Sequence, residues 1–134
     1  MSEKQKILET IQTFFDAGKT KNFAVLGDIQ INSEEFSSFS DIPPYGMKGY
    51  SESIALEELR FSSISDYDYK IENNKISIFG NVGIATFVLN QKGMLVDSQT
   101  YTGQHMEING RATFVLIKED SWNIIHYHLD KIPS

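Results

Sequence analysis

Cysteine is absent from the 134 residues of the chain. This absence excludes a disulfide framework, a thiolate nucleophile and any zinc or iron–sulfur site that depends on cysteine ligands. The chain also has no uninterrupted apolar run of about 18 residues, the length from which a membrane-spanning helix is recognised. Its first residues, MSEKQKILET, lack the apolar segment of a secretory signal. We therefore expect a cytoplasmic protein without a membrane partner.

Basic residues are few and scattered. Twelve lysines and arginines stand against eighteen acidic residues, which gives a net charge of −6. Proteins that bind nucleic acid concentrate positive charge on one surface, so nucleic acid is not expected as a partner. Glycine-rich phosphate loops and the serine–histidine–aspartate order of hydrolases are missing from the sequence as well. No cofactor is therefore expected.

What the chain does contain is typical of a globular protein. Hydrophobic residues make up 40% and aromatic residues 12% of the sequence. A chain of this length can bury a sizeable core without a metal ion or disulfide bonds. Because no repeat, low-complexity tract or linker divides it, residues 1–134 are interpreted as a single domain.

Apolar residues recur at helical spacing in the first half of the chain. Ser2 and Gln5 have the spacing of a capping box, and Gly18 is the expected end of the helix that follows. A strand fragment and a long loop around Pro43-Pro44 are expected before the last helix. Helices are predicted over residues 3–17, 22–26 and 52–61. The inward residues predicted for the third helix are Ala55, Leu56 and Leu59.

The apolar period changes from about 3.6 to about 2 at Tyr67, which indicates strands from there onward. Gly80-Asn81 has the character of a two-residue hairpin turn, and Lys92-Gly93 and Thr102-Gly103 are further predicted turns. The final hairpin is predicted from strands 112–117 and 122–129 with the polar turn 118–121. Helices followed by four or more antiparallel strands predict an α+β fold.

The final hairpin carries a resemblance to a known family. Residues 111–128 read R-x-T-F-V-L-x-K-x-D-x-W-x-I-x-H-x-H, which resembles the C-terminal hairpin of SnoaL-like proteins. These belong to the nuclear transport factor 2-like, or ketosteroid isomerase-like, superfamily. Phe36-x-x-Phe39 and Gly80-Asn81-Val82 extend the resemblance over most of the chain. It implies a cone-shaped, cystatin-like fold, in which a strongly curved, mainly antiparallel sheet wraps N-terminal helices and leaves a pocket.

His126 and His128 are two residues apart on a predicted strand, so both side chains point to one face. They could bind one metal ion, with Asp130, His105 or Glu107 as a third ligand. They could also be polar members of a covered sheet face, hydrogen-bonded to neighbours or lying at a subunit contact. We favour the second interpretation, and no metal site is expected.

The length of the last turn decides which residues accompany Tyr127. A three-residue turn puts Arg111 and Thr113 on the face of Tyr127, whereas a turn of two or four residues puts Thr113 beside the histidines. The resemblance favours the first arrangement. Arg111 could instead lie at the sheet edge and pair with Glu107 or Asp130. The predicted ligand-binding residues of an apolar pocket are Arg111, Thr113, Tyr127, Phe14 and Phe15.

The resemblance implies an activity only where catalytic residues are present. Ketosteroid isomerases use a protonated aspartate and a helix tyrosine as an oxyanion hole. Thr113 stands at the position of that aspartate, and the first helix offers phenylalanines in place of the tyrosine. Asp41, in the loop before Pro43-Pro44, is the best remaining carboxylate. The catalytic candidates are therefore Asp41, His126 and His128.

Two functions are compatible with these residues. The first is a homodimer that binds a small hydrophobic molecule in the cone pocket. The second is a lyase, isomerase or cyclase in which a pocket aspartate or histidine acts as general acid or base. The two differ in whether an ionisable side chain opens into the pocket, so whether the protein is an enzyme is left open at this point.

A homodimer through the sheet is expected because the final hairpin is apolar on both faces, and one layer of helices covers only one of them. The predicted interface consists of Trp122, Ile124, His126, His128, Met106, Ile108, Ala112, Phe114 and Leu116. Histidines at such an interface would make association weaker below about pH 6, because protonation would bury positive charge.

Overall fold

The computed structural model describes residues 1–97 and 99–133. Three helices and one short strand come first in the chain, and four long strands follow. The elements are α1 (Glu3–Thr20), α2 (Ala24–Asp28), β1 (Ser37–Phe39), α3 (Tyr50–Ser62), β2 (Ile64–Phe79), β3 (Val82–Asp97), β4 (Thr102–Lys118) and β5 (Trp122–Lys131). Among these described helices, none has both the length and the apolar character required to cross a membrane.

Helix α1 begins as the sequence predicts but continues past its predicted end. Ser2 and Gln5 form the capping box, with the Gln5 backbone N–H donating to the Ser2 hydroxyl at 3.1 Å. The helix ends at Thr20, and the capping residue Lys21 has a left-handed φ of 63°. Gly18 lies inside the helix, where the rings of Phe61 and Tyr67 approach it closely. A Cβ at this position would lie 2.7 Å from an atom of each ring. The glycine serves close packing, and the prediction that it terminates the helix is wrong.

The five strands form one open sheet in the order β1-β5-β4-β3-β2. Strand β1 runs parallel to β5, and all other neighbours are antiparallel. Strand β2 forms one edge, and its pairing with β3 shifts register twice, between Ser65 and Asp68 and between Glu72 and Lys75. Helices on one face of a mainly antiparallel sheet confirm the expected α+β fold.

Strands β3 and β4 are much longer than the sequence predicts. They pair continuously from Val82 opposite Ile117 to Asp97 opposite Thr102. The predicted turns at Lys92-Gly93 and Thr102-Gly103 are therefore wrong. Gly93 is a strand residue, and a Cβ there would lie 2.2 Å from the Ile64 side chain of β2. The reason for a glycine at this position is therefore the close approach of neighbouring strands and not a turn.

The pairing of β4 with β5 contains a β-bulge. Beside the three-residue turn, Lys118 pairs with Trp122, as the sequence analysis favours. Ile125 has no partner on β4, and beyond it the register shifts by one, so that Thr113 pairs with His128. A one-residue shift exchanges the two faces of a strand pair. The turn has three residues, as expected. Beyond Ile125, however, the bulge exchanges the residues of β5 that share a face with Arg111 and Thr113.

Arg111 and Thr113 therefore lie on the same face of the sheet as the two histidines, and the prediction that they share a face with Tyr127 is wrong. Tyr127 is buried on the opposite face, where helix α1 packs. We call the face that carries the histidines the outer face and the face that carries Tyr127 the inner face. The bulge is the physical reason for the separation.

The hydrophobic core lies between α1 and the inner face. Phe14 of α1 packs edge-on against Phe114, with 5.5 Å between ring centroids, and against Tyr127 at 5.3 Å. The predicted dimer surface is accordingly wrong in its membership, because most of its apolar residues belong to this core. Those buried core residues are Ala112, Phe114, Leu116, Trp122 and Ile124.

Replacing Gly18 with alanine tests the packing of α1. Alanine has the higher helix propensity by about 1 kcal/mol, but overpacking against two rings costs about 1–3 kcal/mol. We expect Gly18→Ala to lower the free energy of unfolding, measured in urea. Gly46→Ala is the matched control, because a Cβ there has no heavy atom within 4 Å. A Gly18→Ala protein at least as stable as the wild type would contradict the packing argument.

Candidate functional site

A small cavity lies at one end of the core, between α1, α3, β5 and the loop that follows β1. Its volume is about 40 Å³. The apolar residues that line it are Phe14, Phe15, Ile42, Pro43, Leu56, Phe61 and Leu129. The polar residues are Ser38, Ser40, Lys48, Ser53, Glu57, Arg60, Gln91 and Tyr127. Polar groups converging in an apolar enclosure are typical of a site for a small molecule.

Glu57 is the carboxyl group of this cavity. It lies on the inward side of α3 and is only 6% exposed. The Tyr127 hydroxyl donates a hydrogen bond to Glu57 Oε2, and the Gln30 amide donates to Oε1 at 2.5 Å. Burial raises the pKa of Glu57 to about 7, because it opposes the charged form more than these two hydrogen bonds favour it. Glu57 therefore exchanges a proton near neutral pH.

Tyr127 supports Glu57 from β5. Its ring stacks on Phe114 with 5.2 Å between centroids, which fixes its orientation in the core. Burial, together with the nearby Glu57 charge, raises the pKa of Tyr127 well above its ordinary value. The phenol consequently stays protonated and acts as a hydrogen-bond donor, so Glu57 is the member of this pair that titrates.

Asp41 is held in an ion pair next to the cavity. Arg60 of α3 donates to its two carboxylate oxygens at 2.6 and 3.4 Å, and the Asp41 side chain is 4% exposed. Burial alone would raise the pKa of Asp41, but the Arg60 hydrogen bond and charge outweigh burial and lower it. Arg60 is a lining residue of the cavity, whereas Asp41 is not. This carboxylate is therefore ionised, already engaged and a weak base.

Lys48 contributes a second positive charge. Its backbone exchanges two hydrogen bonds with Ser38 of β1, at 3.0 and 3.1 Å, which fixes the residue against the sheet edge. The residue is 4% exposed, and its ammonium donates to the Gly46 carbonyl at 3.0 Å. In the described part of the chain, no carboxylate forms an ion pair with Lys48.

Three of the predicted ligand-binding residues line the cavity: Phe14, Phe15 and Tyr127. The other two lie on the outer face. Arg111 is exposed and pairs with Asp130 through two hydrogen bonds of 2.9 Å, which was the alternative interpretation from the sequence. Thr113 lies opposite His128 in the sheet.

The two predicted catalytic histidines are also on the outer face, away from the cavity. His126 is half-buried, its Nδ1 lies 2.8 Å from the Ser37 hydroxyl, and burial lowers its pKa. His128 is exposed, and its ring lies 5.5 Å from that of Phe39. Over residues 1–97 and 99–133, no three histidine, aspartate or glutamate side chains are grouped closely enough to hold a metal ion.

Sequence reasoning missed Glu57 because it expected only apolar residues on the inward side of α3. Of the three residues predicted there, Leu56 lines the cavity and Ala55 is exposed. Leu59, predicted to face inward, is 62% exposed. The buried stripe consists instead of Ser53, Glu57 and Phe61, at intervals of four residues. Each is paired or packed: Ser53 lies 2.6 Å from the Ser38 hydroxyl, and Glu57 accepts the two hydrogen bonds above. The spacing of four residues between Ser53, Glu57 and Phe61 could have indicated one buried helix face. It was overlooked because two of the three residues are polar.

Comparison with known proteins identifies the family. The model of the SnoaL-like domain matches residues 7–133, so this chain belongs to the SnoaL-like domain family. Among curated proteins, none matches the sequence.

Solved structures share the fold at low sequence identity. A nuclear transport factor 2-like superfamily protein from Salmonella enterica serovar Typhimurium is 22% identical, with a TM-score of 0.79 over 98% of this chain and 92% of that one. A candidate dehydratase of the same family from Streptomyces avermitilis is 13% identical, with a TM-score of 0.80 over 98% and 96%. The CaMKII hub of S. rosetta is 13% identical, with a TM-score of 0.73 over 98% of each chain. At these identities the likeness establishes the fold alone.

The buried carboxyl makes the stability of the protein depend on pH. The pKa of Glu57 rises from 4.5 to about 7 on folding, so its protonated form is the one that the folded state favours. Its contribution is complete below about pH 4.5 and is lost as pH rises through about 7, which amounts to about 3 kcal/mol. Urea unfolding should therefore find Glu57→Gln more stable relative to wild type at about pH 8 than at about pH 4.5.

Glu58→Gln is the matched control, because it removes an exposed carboxyl from the same helix. The loss of stability that Glu57 causes between about pH 4.5 and 7 should be absent in Glu57→Gln and persist in Glu58→Gln. An identical pH profile for the wild type and Glu57→Gln would show that Glu57 does not titrate differently in the folded state.

Proposed function

We propose that the protein is an enzyme of the lyase or isomerase type, in which Glu57 is the general acid and base for a small substrate bound in the cavity. The observation that supports this most directly is the Glu57 carboxyl at the cavity wall, buried and hydrogen-bonded by Tyr127. A general base is most effective when its pKa lies near the working pH. Glu57 meets that condition, and Asp41 does not.

A single carboxyl group can complete the proton balance of either reaction. Glu57 removes a proton from a carbon next to a carbonyl, and the electron pair moves into the carbonyl system. In an isomerisation the same proton returns to another carbon. In an elimination it goes to the departing hydroxide, which leaves as water. Tyr127 keeps the carboxyl oriented and hydrogen-bonded throughout, so no second base and no redox partner is required.

Simple binding of a hydrophobic molecule is the alternative function. The apolar lining from α1 and α3 supports it, and so does the engagement of Asp41 by Arg60. Such a binder has no need for an ionisable group at the cavity wall, because burying one costs stability without improving apolar contact. Glu57 is therefore the reason that we favour chemistry over binding alone. The Streptomyces protein is a candidate dehydratase, a reaction of the same class.

Turnover tests the proposal. Small β-hydroxy carbonyl compounds and β,γ-unsaturated carbonyl compounds are incubated with wild type, and their conversion is followed by NMR. General acid–base catalysis contributes about 10²–10⁴-fold to a rate, so Glu57→Gln should lower kcat by at least about 100-fold. Tyr127→Phe should lower kcat less and shift the pH profile. Glu58→Gln should retain the wild-type rate.

An enzyme whose rate survives Glu57→Gln would contradict the role of this carboxyl. If wild type converts none of these compounds yet binds them in the cavity by NMR shift mapping, the binding function replaces the enzymatic one.

We further propose a homodimer through the outer face of the sheet. Half-buried apolar side chains lie there in adjacent strands, with Ile84 opposite Val115 and Val115 opposite His126. Partly exposed apolar residues grouped on one sheet face are typical of a surface that another subunit covers. The CaMKII hub has a similar fold, which is consistent with assembly but does not establish it here.

Light scattering across protein concentrations tests the dimer. The wild type should have the mass of two chains at neutral pH, and Val115→Glu should be monomeric, because it buries a charge in the interface. Ser51→Glu, an exposed change on α3, should leave the mass unchanged. Association should weaken at about pH 5.5 if protonation of His126 opposes it. A wild-type monomer at micromolar concentration would refute the interface.

A further inference from the structure

Lys48 is a buried cation that the proposed reaction does not use. We propose that it is the anchor for a carboxylate group on the substrate, so that the cavity takes a small organic monoanion. This inference rests on the proposed function, because it names the substrate class of the same cavity. Its support is the position of Lys48, the charge balance around it and the size of the enclosed space.

The position of Lys48 is fixed by the backbone. Two hydrogen bonds with Ser38 make it a short extension of the sheet beyond β1, and the residue lines the cavity. Gly46, the acceptor of its ammonium, lies only two residues away, so this contact restrains the side chain without neutralising it. An ammonium group has three donors, and a carbonyl carries no net charge to balance it.

The charge balance near the cavity leaves Lys48 without a counterion. Arg60 is neutralised by Asp41 at 2.6 Å, and both side chains are largely buried. The Glu57 carboxyl accepts hydrogen bonds from Tyr127 and Gln30 and forms no ion pair with Lys48. Buried charges in proteins are normally paired, because removing an ion from water is costly. No carboxylate within residues 1–97 and 99–133 forms an ion pair with Lys48, and an anionic ligand would provide the missing counterion.

The size of the cavity favours a carboxylate over a larger anion. One water-sized sphere needs about 10–15 Å³ of such volume, so 40 Å³ accommodates about three. A small planar carboxylate of the size of propionate suits a space of this order. A polycyclic molecule is much larger than this space. Hydroxyl groups of Ser38, Ser40 and Ser53 provide further polar lining.

The experiment titrates wild-type protein with propionate and with propionamide, its uncharged equivalent of nearly the same shape, and follows the amide NMR signals of the cavity residues. Propionate should bind at least about tenfold more tightly, because a charge-assisted hydrogen bond is worth more than a neutral one. Equal affinity for the two compounds would overturn the proposal. This comparison needs no variant, so it does not depend on the folding of a mutant.

A lysine variant then assigns the effect. Lys48→Met keeps the length of the side chain and removes its charge, and it should lose the preference for propionate. Lys4→Met, at an exposed lysine of α1, is the matched control and should retain it. A preference that survives Lys48→Met in a folded protein would overturn the assignment. Inorganic phosphate is titrated as well, and tighter, Lys48-dependent binding of phosphate would overturn the carboxylate class.

The outcome can be separated from that of the proposed function. Glu57→Gln should lower kcat by at least about 100-fold and keep the preference for propionate over propionamide, since the carboxylate is held by Lys48. Preferential binding without any turnover would leave the anion site standing and reject the enzyme. Turnover of a carboxylate substrate that is unaffected by Lys48→Met would leave the enzyme standing and reject the anion site.

Discussion

One extra residue in β5, Ile125, determines which side chains of the last strand face α1. Before it, Trp122 and Ile124 are buried on the inner face; after it, Tyr127 and Leu129 are. A regular strand would have carried the even-numbered histidines inward after Ile124, and a bulge exchanges that alternation. The cavity wall depends on this exchange, because Tyr127 is the residue that reaches Glu57.

The site itself is a balance between burial and pairing. Burial acts on both carboxyl groups in the same direction, but their neighbours differ. Asp41 has a cation beside it and remains ionised, whereas Glu57 has only neutral donors and shifts toward neutrality. The carboxyl beside the cavity is thus held as an anion, and the carboxyl at the cavity wall is free to exchange a proton. Two carboxyl groups with separated pKa values are a recurrent arrangement for acid–base chemistry.

The fold was more accessible from the sequence than the site. The capping box, the period of two after Tyr67 and the motif of the final hairpin were sufficient to predict the α+β class and the family. The sheet faces were not predictable, because no residue type marks a bulge at Ile125 and an error of one residue reverses a strand. Glu57 and Lys48 were missed for a related reason: charged residues are normally exposed, and only the tertiary structure identifies an exception.

Strand β2 has a consequence for how copies of this chain meet. It is a long edge strand, and an exposed edge can template the strand of another molecule and lead to fibrils. Its two register shifts twist the edge, and Asp68, Lys70 and Glu72 place alternating charge along it. The opposite edge, β1, is only three residues long and is bridged by Lys48. Growth of the sheet from chain to chain is therefore blocked at both ends, and contact between copies is restricted to faces.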